Sequence, residues 1–332
     1  MSKLIENSLE ILLSLFIVFG LLYVAFEVKP EVSVPKYTPT MFGLRDHYYS
    51  VVSPGENKQI IWAVGNEGRV IRSEDAGKQW RIQETGTKAN LQSIAAWDSS
   101  SAIVIGDLAT VLITGDSGKA WAHIAVKTYQ YGDQFLKVYI DHDKGNAWLS
   151  GTMSTVMLSK DRGKTWHLVH KAEDIAWNDI TVAPDGSVWV VGEFGRMQRS
   201  RDEGTTWEEV KAPTSGSSLM SIAFSDSRHG IAVGLSGIVV TTEDGGAHWS
   251  RVPAVTHAHL FDILWDGQEF LAVGANGVFA GFSPDGHIRK VSRIHPDNSG
   301  WYTQINRYAN DDYLIAGTNL GLRNKKGWFV YQ

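Results

Sequence analysis

The stretch AVGLSGIVVTTEDGGAHW, residues 232–249, holds two phrases that recur down the whole chain. The first is an apolar run, a glycine-led turn and a second apolar run. It returns as AVGNEGRVIR, VIGDLATVLI, LSGTMSTVML, VVGEFGRMQR, AVGANGVFAG and LIAGTNLGLR. The second is a box of the form S/T-x-D-x-G-x-x-W. It returns as SEDAGKQW (73–80), TGDSGKAW (114–121), SKDRGKTW (159–166) and SRDEGTTW (200–207). FSPDGHIR (282–289) is a degraded copy, and RNKKGW (323–328) holds the seventh position. From Asp75 through Asp116, Asp161, Asp202 and Asp244 to Asp285 the spacings are 41, 45, 41, 42 and 41 residues.

A further apolar run precedes each pair of phrases, as in LQSIAAW, NDITVA, LMSIAF and FDILW. Each unit therefore reads as four short strands, A to D, with the box at the C–D hairpin. Seven such units fill residues 45–332. A fixed period near forty residues with four strands per period is the signature of a radial array of sheets. The expected fold is an all-β, seven-bladed β-propeller of four-stranded blades. The first strand is an A strand and the last a D strand, so blades seven and one are expected to meet by packing, with no shared blade, unless residues 31–44 add an extra strand.

The box has a local logic. A carboxylate at the start of a hairpin can accept backbone N–H groups across its own turn, and the glycine two positions on supplies a positive φ. The Ser or Thr two positions before adds a hydroxyl. The tryptophan begins strand D and packs against its own hairpin or the next blade. Trp80, Trp121, Trp166, Trp207 and Trp249 are explained this way, as is Trp328.

The amino-terminal residues differ. ILLSLFIVFGLLYVAF, residues 11–26, carries no charge. As a helix it spans roughly 24 Å against a hydrocarbon core of ~30 Å. Adding the flanking residues brings 9–27 close to a full crossing. A cleaved signal peptide needs a small-x-small site, and the candidates, such as Tyr23-x-Ala25, are poor. The expectation is a short cytoplasmic tail (1–8), an uncleaved transmembrane signal anchor (9–27) and a linker (28–44) stiffened by Pro30, Pro35 and Pro39. Lys3 on one side and Lys29 and Lys36 on the other leave the charge rule for orientation nearly silent. The brevity of the tail favours an N-terminus-in insertion. The propeller would then stand on the periplasmic, extracytoplasmic side of the inner membrane.

A net charge of −5 argues against a nucleic-acid surface. The absence of cysteine removes disulfides and thiolate metal sites.

The boxes resemble those of the Asp-box (BNR) repeat proteins. The combined pattern, glycine-led turn plus box once per blade, resembles the photosystem II stability/assembly factor family over essentially all of residues 45–332. That resemblance implies a non-catalytic scaffold. Photosynthetic members hold newly made membrane subunits, and relatives occur in bacteria beside genes for RND/MMPL-type exporters. The implied partner is an integral membrane protein or complex, with no cofactor. A glycan- or small-ligand-binding propeller with sialidase-like ancestry is the alternative. A sialidase carries an R-I-P phrase near the start of its first blade; the nearest match, Arg251-Val252-Pro253, follows the fifth box. No carboxylate pair can be assigned to one face.

Two metal-like spellings read first as ordinary structure. Asp141-His142-Asp143-Lys144-Gly145-Asn146 lacks the sixth-position glycine and distal glutamate of a calcium loop, and reads as an A–B turn. His257-x-His259 has no third ligand in view and reads as a surface pair.

With this strand order the B–C turns and D–A crossovers emerge on one face, and the A–B turns and boxes on the other. The first face concentrates residue types typical of interfaces. Tyr129, Tyr131, Phe194, Arg196, His257, His259, Trp301 and Tyr302 are its candidate contacts. Trp177, Phe135 and Trp301 could instead start A strands and point into the blade stack.

Overall fold

A computed structural model describes residues 12–13, 15–23, 41–43, 45–55, 58–130, 132–254, 256–309 and 311–332. The chain divides into two compact units, Met1–Thr40 and Met41–Gln332. Within the first, residues 12–13 and 15–23 are helical. Among the described residues no helix is long and apolar enough to cross a membrane. The expected tail, the rest of the expected anchor, and linker residues 28–40 and 44 lie outside the described residues.

The second unit is a seven-bladed propeller. Seven sheets each contain four consecutive strands in the order A-B-C-D, from Tyr48–Val52 in blade 1 to Gly327–Val330 in blade 7. All neighbours pair antiparallel, as in Val188↔Ser200 between strands B and C of blade 4. The B strands, such as Ile61–Gly65 and Gly230–Gly234, are buried at every residue, because both faces of each sheet are covered by neighbouring blades. The outermost D strands of blades 2 to 5 are only two residues long, such as Ala122–His123, which limits the unpaired edge open to other chains.

The core is not one mass but seven clusters, one per blade junction. Trp62, Val64, Leu91 and Val104 join blades 1 and 2. Tyr48, Val51, Tyr308 and Leu314 join blade 1 to blade 7. Among the described residues the ring thus closes by packing, with no shared blade.

The boxes behave as their chemistry predicts. In blade 1 the Ser73 hydroxyl donates to Asp75 Oδ1 at 2.9 Å and accepts the Gly77 N–H at 2.8 Å, while the Gln79 N–H reaches Asp75 Oδ1 at 2.8 Å. The same set recurs at Asp116, Asp161, Asp202 and Asp244. Two successive residues take positive φ, Ala76 at 63° and Gly77 at 84°. The tryptophan rings reach the preceding blade rather than the next. Trp80 packs with Tyr331 and Leu314 of blade 7, and Trp249 with Trp189 of blade 4. Asp141 accepts the amides of Asp143 and Lys144, which makes the calcium-like phrase an A–B turn.

A circumferential belt of hydrogen bonds also binds the blades. Strand A is the inner edge of its sheet, so alternate amides face away from strand B with no ladder partner. The preceding blade supplies side-chain acceptors. The Ile94 N–H donates to Ser50 Oγ (3.0 Å), Val138 to Ser93 Oγ (3.3 Å) and Ile222 to Asp179 Oδ2 (2.9 Å). Ile263 donates to Ser221 Oγ (3.3 Å) and Ile305 to Asp262 Oδ2 (2.9 Å). Val51 donates to Gln304 Oε1 at 2.6 Å, which carries the belt across the seam between blades 7 and 1. One position breaks the rule. Lys137 has no acceptor, and the Ile180 N–H bonds to Asp179 Oδ1 of its own blade instead.

Candidate partner-binding face and axial cup

The face carrying the B–C turns is built the same way in every blade. The glycine ending strand B lies against the carbonyl that precedes strand A. A Cβ at Gly234 would sit 2.1 Å from the Ser218 oxygen, and one at Gly65 would sit 1.8 Å from that of His47. The next residue donates its N–H to the same carbonyl, as Leu235 does to Ser218 (3.0 Å) and Asn66 to His47 (3.1 Å). Turn and crossover are thereby locked together. The turn tips then take positive φ, 57° at Phe194 and 55° at Leu108. This holds the two apolar side chains outward, 66% and 64% exposed.

The candidate contacts fall into three groups. Phe194, His257 and His259 are exposed. His259 Nδ1 accepts the Ser236 N–H at 2.8 Å, which leaves its Nε2–H free to donate outward. Trp301 is half-buried, its ring stacked on Tyr49 at 6.1 Å and against His47 at 5.4 Å.

Tyr129 and Arg196 are already engaged. The Tyr129 hydroxyl donates to the His170 carbonyl, tying two crossovers together. Burial raises its phenol pKa. The Arg196 guanidinium bonds Glu209 and Glu173 and lies over the Trp177 ring at 5.6 Å. The Glu209 hydrogen bond, with Glu173, raises its pKa.

Tyr302 departs from expectation. It is fully buried at the junction of blades 6 and 7, edge-on to Trp328 at 5.7 Å and bonded to Asn298. Its ring has no surface to offer a partner. Phe135 and Trp177 are buried in the same way, and Tyr131 lies outside the described residues.

What places Tyr302 inside and Thr303 at the axis is a register irregularity in strand A. It recurs in every blade, between Tyr48 and Ser50, Leu91 and Ser93, and so on to Tyr302 and Gln304. A bulge lets two successive side chains face the same way. The axis is therefore lined by consecutive pairs: Tyr49 and Ser50, Leu136 and Lys137, Phe261 and Asp262, Thr303 and Gln304. They enclose a cavity of about 160 Å³.

At its floor Lys137 Nζ stands 3.3 Å from Asp262 Oδ1 and 3.6 Å from Asp179 Oδ1. The Ser221 hydroxyl lies 2.7 Å from Asp179 Oδ2 and 3.0 Å from Asp262 Oδ1, one hydrogen between two carboxylates. Burial alone would lower the Lys137 pKa, but Asp179 and Asp262 hold it above its ordinary value. Burial raises that of Asp262, with Lys137 opposing and Asp179 adding to the rise. Sequence reading missed this cluster. The signal was present: aligned A strands put Ser, Ser, Lys, Asp, Ser, Asp and Gln at one position, three of them charged. Among the described residues no group of His, Asp or Glu is arranged to hold a metal ion.

Known proteins show matching patterns. Residues 203–288 match the family "Photosynthesis system II assembly factor YCF48", and residues 68–189 match "Sortilin, neurotensin receptor 3". The chloroplastic photosystem II stability/assembly factor HCF136 of Cyanidioschyzon merolae is 35% identical over 79 residues. That match covers 23% of this chain and 18% of the relative's length. Among solved structures, YCF48 bound to D1 peptide superposes with a TM-score of 0.66 at 16% identity, covering 86% of this chain and 96% of that one. YCF48 from Cyanidioschyzon merolae gives 0.67 at 14%, with the same coverage. An ancestral GH74 enzyme gives 0.71 at 11%, covering 89% of this chain and 48% of that one. These structural likenesses establish the fold. Taken with the boxes, the chain is a BNR β-propeller that is similar, over residues 203–288, to the photosystem II assembly factors.

Proposed function

We propose that this protein is a non-catalytic scaffold that holds a membrane protein during assembly or operation of a complex. The observation that carries the reading is the face of B–C turns. Its backbone is locked by seven equivalent glycine contacts while Phe194 and Leu108 are held outward. A rigid platform with exposed apolar tips is suited to gripping a protein surface. The likeness to YCF48, a structure of which holds D1 peptide, points the same way.

The uncharged stretch at 11–26 supports single-pass anchoring through residues 9–27 of an inner membrane, with the propeller on the extracytoplasmic side. An exporter of the RND/MMPL type is one candidate complex, on resemblance alone. The glycan-binding alternative draws on the GH74 likeness, which concerns fold only. An axial cavity of about 160 Å³ is small for a saccharide, since ligand pockets run to ~300–1,000 Å³.

The test is purification of the full-length chain in gentle detergent, with mass spectrometry of what co-purifies. A stoichiometric integral-membrane partner, lost on Phe194→Ala, supports the scaffold. A chain that elutes alone and binds an oligosaccharide overturns it.

A further inference from the structure

We propose that the outer edge of blade 6 is a docking strand for an extended acidic segment of another protein, which joins the four-stranded sheet as a fifth strand. The edge lies on the outer rim rather than among the B–C turns, so its role is separate from the scaffold's grip and either can fail alone.

The edge follows from a shortened turn. In the intact boxes the glycine stands two positions after the aspartate, and the whole box separates strands C and D, as between Thr241 and Ser250. In FSPDGHIR the glycine follows Asp285 directly and no tryptophan ends the box. The turn shrinks to residues 283–287, with the Ser283 N–H on the His287 carbonyl at 2.9 Å, and the ladder resumes at Phe282↔Ile288. Strand D of blade 6 therefore runs six residues, Ile288–Arg293, against two in each of blades 2 to 5. All but Lys290 are exposed.

Its free side is a strand template. The Ile294 N–H bonds the Gly277 carbonyl at 2.8 Å. In this antiparallel ladder Lys290 and Ser292 therefore turn their backbone groups toward strand C, and Val291 and Arg293 turn theirs outward. Each of the two presents an N–H and a C=O, the repeat to which an extended peptide adds. A two-residue strand offers no such repeat.

Charge selects the occupant. Arg289 and Arg293 are exposed and, among the described residues, neither pairs with a carboxylate, whereas Lys290 meets Glu269 at 2.5 Å. Arg293 donates to the Pro296 carbonyl at 3.2 Å. Around Val291 and Arg293 the edge opens on a cleft of about 450 Å³ shared with His257 and Asn276, which leaves room for the side chains of an added strand. A second copy of this chain is the wrong occupant. Two such edges paired antiparallel about Val291 set Arg289 against Arg293 at both ends, and like charges directly opposite repel. Acidic residues opposite the arginines and an apolar one opposite Val291, itself 44% exposed, complete the row.

The experiment titrates the full-length protein in detergent with the fluorescein-labelled peptide Thr-Glu-Thr-Val-Thr-Glu-Thr, read by anisotropy. Its palindromic sequence serves parallel and antiparallel addition alike. Lysine in place of both glutamates should weaken binding by at least about tenfold. N-methylation of the three central residues should abolish it, because the backbone donors are gone. Val291→Pro removes an outward N–H that strand C does not use, and should abolish binding while leaving the melting temperature unchanged. Arg289→Glu with Arg293→Glu should reverse the preference toward the lysine peptide, which decides the matter even if the proline variant fails to fold. Equal binding of the N-methylated peptide would mean a charge contact without strand addition and would overturn the proposal. So would a glutamate peptide that does not bind, or a dimer of the full chain that Val291→Pro dissociates. Capture of a membrane partner through Phe194 is read separately, and none of these results alters it.

Discussion

Lys137 and Asp262 lie 125 residues apart in sequence, yet Lys137 Nζ rests 3.3 Å from Asp262 Oδ1 across the propeller axis. Asp179 stands 3.6 Å from the same ammonium. The cluster holds one carboxylate more than it holds ammonium groups, and the two single-residue deletions should therefore differ. Lys137→Met strands two carboxylates and should cost about 3–5 kcal/mol. Asp262→Asn mimics the neutral form that burial favours, keeps an oxygen that can accept from Ile305, and should cost less than about 1.5 kcal/mol. Urea unfolding of both variants at pH 7 decides the order; equal losses would refute it.

The box hydroxyls should matter as much as the box carboxylates. Ser159 is buried and accepts the buried Gly163 N–H at 2.8 Å. Asp161 serves the exposed Thr165 N–H at 2.9 Å, which water can replace. Ser159→Ala should cost about 1–3 kcal/mol and Asp161→Ala no more than that. Thermal unfolding of the pair would show a reversed ranking if the carboxylate alone organises the turn.

Glycine at the end of strand B is a steric requirement. Gly234→Ala would push a methyl to 2.1 Å from the Ser218 carbonyl oxygen, whereas Gly115→Ala meets nothing within 4 Å. The first should lose about 3 kcal/mol or fail to fold, and the second should change by under about 0.5 kcal/mol. Calorimetry of the two proteins separates them directly.

Acid should loosen the box face. Donated hydrogen bonds hold the box carboxyls low. The amide of His248, with its ring, brings Asp244 to about 2. The hydrogen bonds of Lys144 and Lys160 bring Glu203 to about 2. A depressed carboxyl adds stability that is complete above its unfolded value near 4 and is lost as pH falls through the folded value. The urea midpoint should therefore fall between about pH 4 and pH 2. Asp262, raised by burial, has the opposite sign and gains stability on protonation. A midpoint flat from pH 5 to pH 2 would contradict the assignment.

Two aromatic residues of the candidate face should part company. Phe194→Ala should leave the melting temperature within about 2 °C of wild type, because its ring is 66% exposed. Tyr302→Ala should cost about 3–5 kcal/mol, because that ring fills a blade junction. If Phe194→Ala unfolds the protein, the exposed-tip account of the face fails.

Blade number, strand order and the box turns were legible in the sequence because each is local. An aspartate, a hydroxyl four residues before a glycine, and a left-handed turn sit within one hairpin. Their bonds form wherever that hairpin forms. Which aromatic residues of the candidate face are exposed was not legible. The bulge in strand A displaces the two-residue alternation, burying Tyr302 and turning Thr303 and Gln304 together toward the axis. Nor could the sequence join Lys137, Asp179 and Asp262, which lie on three separate A strands. Only closure of the ring brings equivalent positions of blades 3, 4 and 6 within bonding distance, because the innermost strands of all seven sheets converge on a single axis.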